Sequence, residues 1–141
     1  MYFTRTKKLI LLLFIPLVFT CSSDSIDDNS PGTTDNSFNP PNWVQGVWLN
    51  EAIPYGFEFR PDDICTIYGA QASCNKAIII LYEDAPKIET NVYEEISNSR
   101  YYVVFSYGPS ELTYEFEKIS ANEINGIQAP NITTPTIYTK Q

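Results

Sequence analysis

The chain has 141 residues, 43% of them apolar and 14% aromatic, which is enough for one packed domain and too apolar for a wholly disordered chain. From Cys21 onward six basic residues stand against seventeen acidic ones, a net charge of −11, which argues against a nucleic-acid partner, whose phosphates need a basic footprint. There is no histidine, so the commonest general base and the Ser/His and Cys/His catalytic pairs are excluded.

Met1 to Lys8 carries Arg5, Lys7 and Lys8, and Leu9 to Phe19 is an unbroken apolar run. Eleven helical residues span only about 16 Å, well short of the roughly 30 Å hydrocarbon core of a bilayer. A charged start followed by a short apolar stretch predicts a secretory signal over residues 1–20, not a membrane span. The run ends in Val18-Phe19-Thr20-Cys21. A Cys directly after the apolar stretch resembles the lipobox of bacterial lipoproteins, in the looser form familiar from the Bacteroidetes. The Cys-Ser-Ser-Asp that follows is similar to the start of mature lipoproteins in that phylum. The resemblance implies a diacylglycerol on the Cys21 thiol and cleavage before it. The partner so implied is a membrane, held through the lipid anchor, and the location is the outer membrane, facing the periplasm or the cell surface.

Residues 21–41 hold four Asp and no Lys or Arg, and are rich in Ser, Asn, Pro, Gly and Thr. Such a segment buries too little apolar surface to offset its ordering entropy, so it is expected to be a flexible acidic tether. Its acidic start resembles the surface-export signal of Bacteroidetes lipoproteins, and Asp24-Ser25-Ile26 matches that phylum's short O-glycosylation motif.

Residues 42–141 read as short strands between turn signals. In order these are Val44–Leu49, Tyr55–Arg60, Ile64–Tyr68, Ala77–Tyr82, Val92–Ile96, Tyr101–Tyr107, Leu112–Ile119, Glu123–Ile127 and a closing Ile137–Thr139. Alternation puts Tyr55, Phe57 and Phe59 on one face and Glu58 and Arg60 on the other. It likewise puts Tyr114 and Phe116 inward and Glu115 and Glu117 outward. Ala77–Tyr82 is six residues long and β-branched, which predicts a strand rather than a helix, while Ala70–Lys76 has room for one helical turn. Short connections predict antiparallel neighbours. About eight such strands in meander order predict an all-β fold, a small antiparallel barrel, with a β-sandwich as the alternative.

The opening Gly46-Val47-Trp48 resembles the Gly-x-Trp start of lipocalins, and Ile137-Tyr138-Thr139-Lys140 is similar to the ends of small lipocalin-like domains. That likeness implies that Trp48 closes one end of the barrel. In such a barrel Trp48, Phe57, Phe59, Tyr114 and Phe116 either form the core or line a pocket for a small apolar ligand. Tyrosines of the Tyr101–Tyr107 strand offer a second way to bind, by stacking on a glycan or a partner protein.

Cys65 and Cys74 are an even pair in an exported chain, which predicts a disulfide. Two Cys without His make a poor zinc site, and neither a metal nor a cofactor is expected. Glu115 and Glu117, about 6.8 Å apart along one strand, have the separation of a glycosidase pair, but an outward strip beside Tyr114 and Phe116 explains them more simply. Asp62-Asp63 reads as a turn signal before it reads as a calcium site. The expected function is therefore a non-enzymatic binding lipoprotein: an apolar ligand inside the barrel, or else glycan or protein recognition by exposed aromatics.

Overall fold

The computed structural model describes residues 33–83, 85 and 87–141; the expected signal sequence, Cys21, Asp24-Ser25-Ile26 and the rest of residues 21–32 lie outside them. Among the described residues, ten strands follow one another as β1 (Thr33–Asp35), β2 (Gly46–Leu49), β3 (Tyr55–Arg60), β4 (Asp63–Tyr68), β5 (Gln71–Cys74), β6 (Thr90–Ile96), β7 (Arg100–Tyr107), β8 (Ser110–Lys118), β9 (Glu123–Ala129) and β10 (Ile132–Lys140), with one helix, α1 (Asn75–Glu83), between β5 and β6. All belong to one antiparallel sheet in the order β1-β6-β7-β8-β9-β10-β2-β3-β4-β5. The fold is thus all-β, a small meander barrel, and the single sheet replaces the sandwich alternative.

The turns explain why the meander holds. Tyr68 pairs with Gln71 and Tyr107 with Ser110, leaving two-residue turns that open on Gly69 and Gly108. Both glycines have positive φ, 59° and 56°, which suits the twist of a tight hairpin and which L side chains adopt at a cost.

The order leaves β1 and β5 as the ends of the sheet, and α1 packs between β4 and β6 along the seam. Here the structure corrects the sequence reading twice. The run Ala77–Tyr82, expected to be a strand, is helical. Asn75 and Ile79, four apart, are buried on one helix face, whereas Ile80 and Leu81 are 57% and 69% exposed. The helix starts there because Asp63 Oδ1 accepts the Lys76 N–H at 2.9 Å, capping a backbone donor that its own helix cannot satisfy. With the same change, part of Ala70–Lys76, the stretch with room for one helical turn, forms β5 instead. The second correction concerns the tether, whose last nine residues belong to the fold. β1 lies on the free edge of β6, Thr33 opposite Glu94, and Phe38 is fully buried, its ring 5.3 Å from that of Phe105. A polar composition did not prevent this, because an open sheet edge supplies the backbone partners and one aromatic supplies the apolar contact.

Cys65 and Cys74 form the expected disulfide, directly opposite each other across β4 and β5 with Cα atoms 3.9 Å apart. It ties the last strand before α1 to the body of the sheet. Closing so short a loop is worth about 2–3 kcal/mol by chain entropy. The Cys65→Ser/Cys74→Ser double variant should unfold at correspondingly lower urea. An unchanged midpoint, or two titratable thiols in the denatured, non-reduced wild type, would contradict the bond.

Candidate functional site

The five aromatic residues expected to face inward do so. Trp48, Phe57, Tyr114 and Phe116 are fully buried and Phe59 is 2% exposed. They also pack against one another. Phe57 meets Phe116 at 5.0 Å, Tyr138 at 5.1 Å and Tyr114 at 6.3 Å, all edge to face, and Phe59 meets Phe116 at 4.8 Å. These separations are those of packed aromatic pairs. The Gly46–Trp48 and Ile137–Lys140 segments come together: Lys140 pairs with Trp48 between β10 and β2, and its Nζ lies 5.1 Å from the indole centre. Trp48 Nε1 donates to the Val44 carbonyl at 2.6 Å.

A polar chain threads this core. Asn75 Nδ2 donates to the Tyr114 hydroxyl at 2.9 Å, Gln128 Nε2 reaches the same oxygen at 3.4 Å, and the Tyr55 hydroxyl donates to Gln128 Oε1. Burial pushes the hydroxyls of Tyr55, Tyr114 and Tyr138 up to about 12. The Tyr55 and Tyr114 hydroxyls are held in this hydrogen-bonded chain, whereas the buried Tyr138 hydroxyl has no hydrogen-bond partner among the described residues.

Three of the four carboxylates considered for chemistry, those of Glu115, Asp62 and Asp63, are engaged by neighbouring groups. Glu115 and Glu117 lie on the outer face of β8. Glu115 accepts from Arg100 Nε at 2.9 Å, and the same guanidinium reaches Glu95 at 2.9 Å. The pair borders a groove of about 140 Å³ on the barrel wall, and Glu117 is exposed. Asp62 pairs with Lys76 at the β3–β4 turn. Asp63 is 3% exposed and accepts the backbone N–H groups of Ile64 and Lys76 at 2.8 and 2.9 Å. Desolvation raises its pKa against those two bonds. Asp63, Cys65 and Cys74 lie within 4.8 Å of one another, but the two sulfurs are bonded to each other and offer no thiolate ligand.

The outer surface carries a different feature. Trp43, half-buried, donates its Nε1–H to the Ser97 carbonyl at 2.9 Å, so the indole is held across from the β6–β7 turn. Residues 39–43 form one wall of a cleft of about 500 Å³, and Ile96, Ser97 and Asn98 form the other. The wall is rigidly held. Gln45 Nε2 donates to the Pro40 carbonyl at 3.0 Å. Asn39 donates its backbone N–H and its Nδ2 to the carboxylate of Glu94, at 2.9 and 3.3 Å. Glu94 is itself 3% exposed and accepts the Tyr101 hydroxyl. Burial, then the neighbouring Glu94, hold Tyr101 well above the ordinary tyrosine range. A larger depression of about 610 Å³ lies by the β7–β8 turn, but its lining of Ala85, Lys87, Ile88, Glu89, Gly108 and Pro109 contains no aromatic ring.

The cleft was not singled out from sequence. The tyrosines of the Tyr101–Tyr107 strand were, and most of them turn inward: Tyr101 is fully buried, and Tyr107 packs on Tyr82 and Phe105. Tyr102 alone of these faces outward, under the Arg100 guanidinium at 4.9 Å. The available signal is Pro40-Pro41-Asn42-Trp43, an aromatic close to two prolines in an otherwise polar segment, and part of that ring also packs against the core. Compared with known proteins, the chain matches no family model, no curated protein and no solved structure.

Proposed function

We propose that the protein is a non-enzymatic binding lipoprotein, anchored to a membrane through Cys21, whose lipocalin-like barrel is a solid scaffold and whose ligand is met on the outside, at the Trp43 cleft. The observation that carries this reading is a contrast: the interior rings touch one another where an apolar ligand would sit, while the Trp43 indole is pinned in an open cleft of ligand size. Lack of histidine and the engagement of Glu115, Asp62 and Asp63 in ion pairs and caps support a binding rather than a catalytic role. The apolar run before Cys21 and the acidic stretch after it support export and anchoring.

The chain has only two tryptophans, so two indole N–H resonances report separately on the cleft and the interior. Titration with laurate, an apolar probe, should leave the Trp48 resonance in place; a saturable shift of Trp48 would restore the interior-ligand reading. The anchor is tested by mass spectrometry of the membrane fraction, which should show acylated Cys21 as the N-terminus. A mature protein beginning elsewhere, without acyl chains, would refute the anchor.

A further inference from the structure

The residues of the Trp43 cleft share a property that the rest of the chain makes unusual. In a molecule with seventeen acidic residues, the lining is made only of Asn39, Pro40, Pro41, Asn42, Trp43, Ile96, Ser97 and Asn98, none of which ionises in the ordinary pH range. The Glu94 carboxyl group bonded to this wall is buried and taken up by Asn39 and Tyr101, and the side chain of Glu95, the neighbour of Ile96, is paired with Arg100. A charged ligand finds no counter-ion here, and an anion meets the field of an acidic protein. A purely apolar ligand would leave the amides and the Ser97 edge uncovered, since these polar groups line the same walls as the rings.

We infer that the cleft binds a neutral saccharide. The identification rests on the reading of this cleft as the recognition site and names its ligand class. A sugar ring has one face of C–H bonds and an edge of hydroxyls. The C–H face, with its partial positive charge, matches the negative face of an indole. The hydroxyls can both donate and accept, as do the side-chain amides of Asn39 and Asn42 at the rim. The Trp43 ring is fixed before binding by its bond to Ser97, and its wall by Glu94, so little ordering remains when ligand arrives. The volume of about 500 Å³ falls within the range of small-ligand sites.

The test uses the full mature chain, the two indole N–H resonances, and an array of neutral oligosaccharides beside anionic ones and a proline-rich peptide. Neutral oligosaccharide should shift the Trp43 resonance saturably and leave Trp48 unmoved. Affinity should be the same at low and high salt, because no charge is screened. Measured by isothermal titration calorimetry, Trp43→Ala should weaken binding at least about tenfold, with an unshifted Trp48 resonance showing that the barrel is intact. Should that variant fail to fold, Trp43→Phe keeps an aromatic plane but lacks the Ser97 bond, and should still bind more weakly. A peptide that moves Trp43 where no neutral oligosaccharide does would overturn the saccharide and keep the cleft as a recognition site. Salt-sensitive binding of an anionic glycan alone would do the same. If no probe moves Trp43, both the saccharide and the cleft reading fall.

Discussion

Truncation of Phe116 to alanine is expected to cost the domain about 3–5 kcal/mol, as for other fully buried aromatics. The ring lies at the centre of the barrel, 4.8 Å from Phe59, 5.0 Å from Phe57 and 6.2 Å from Tyr114. Its fourth side is backbone: a Cβ placed on Gly126 would come within 2.8 Å of Phe116 Cδ1, so the ring packs directly on the β9 main chain. Walls made of rings in mutual contact and of hydrogen-bonded strand do not collapse easily into a hole, which places the cost toward the upper end. In a domain of this size a loss of that order lowers Tm by about 15 °C or more. Glu117, the next residue, points out of the barrel, and Glu117→Gln should change stability by less than about 0.5 kcal/mol. Urea denaturation of the two variants measures both. Equal effects would mean that β8 is out of register by one residue, since such a slip exchanges the two faces.

A still smaller change in mass should have an effect of similar size. Gly56→Ala adds one methyl group to β3 opposite Leu49. That carbon would lie 2.1 Å from the Trp48 carbonyl oxygen and 3.0 Å from the Leu49 Cα. Both are backbone atoms of β2 and cannot rotate away as a side chain does. The methyl group therefore fits only if β2 and β3 separate, and with them the strand that carries Trp48. We expect a loss of about 3 kcal/mol or more, the upper range for forcing an extra carbon into a packed site. Gly69→Ala is the informative control. Its φ of 59° is unfavourable to alanine, yet nothing lies within 4 Å of the added carbon, so the cost should stay near the 1–2 kcal/mol of left-handed backbone alone. If Gly56→Ala proved no worse than Gly69→Ala in thermal unfolding, the close approach of β2 to β3 would be refuted.

Much of this molecule was legible in the order of its residues. A two-residue period needs no tertiary information, because alternate side chains of a strand point to opposite faces whatever lies beyond them. That is why alternation alone puts Phe57, Phe59, Tyr114 and Phe116 inward and Glu115 and Glu117 outward, why the second-half meander is readable in its observed order, and why two cysteines in a chain expected to be exported predict a disulfide. The places where the reading failed share one cause, which is that the deciding partner is distant in sequence. By composition Ala77–Tyr82 suits a strand better than a helix. It becomes a helix because Asp63 caps Lys76 and because the gap between β4 and β6 accepts one face bearing Asn75 and Ile79. Residues 33–41 look like tether by composition, and are held by the free edge of β6 and by a slot beside Phe105. The candidate site belongs to the same class. Trp43 is an ordinary tryptophan in the sequence; only the fold sets it 2.9 Å from the carbonyl of Ser97, fifty-four residues away, and ties the Glu94 side chain to the Asn39 backbone beneath the wall. Local pattern determined which faces are apolar, since that is a property of spacing. Which surface is left open, and with what chemistry, was decided by contacts that exist only once the strands have paired.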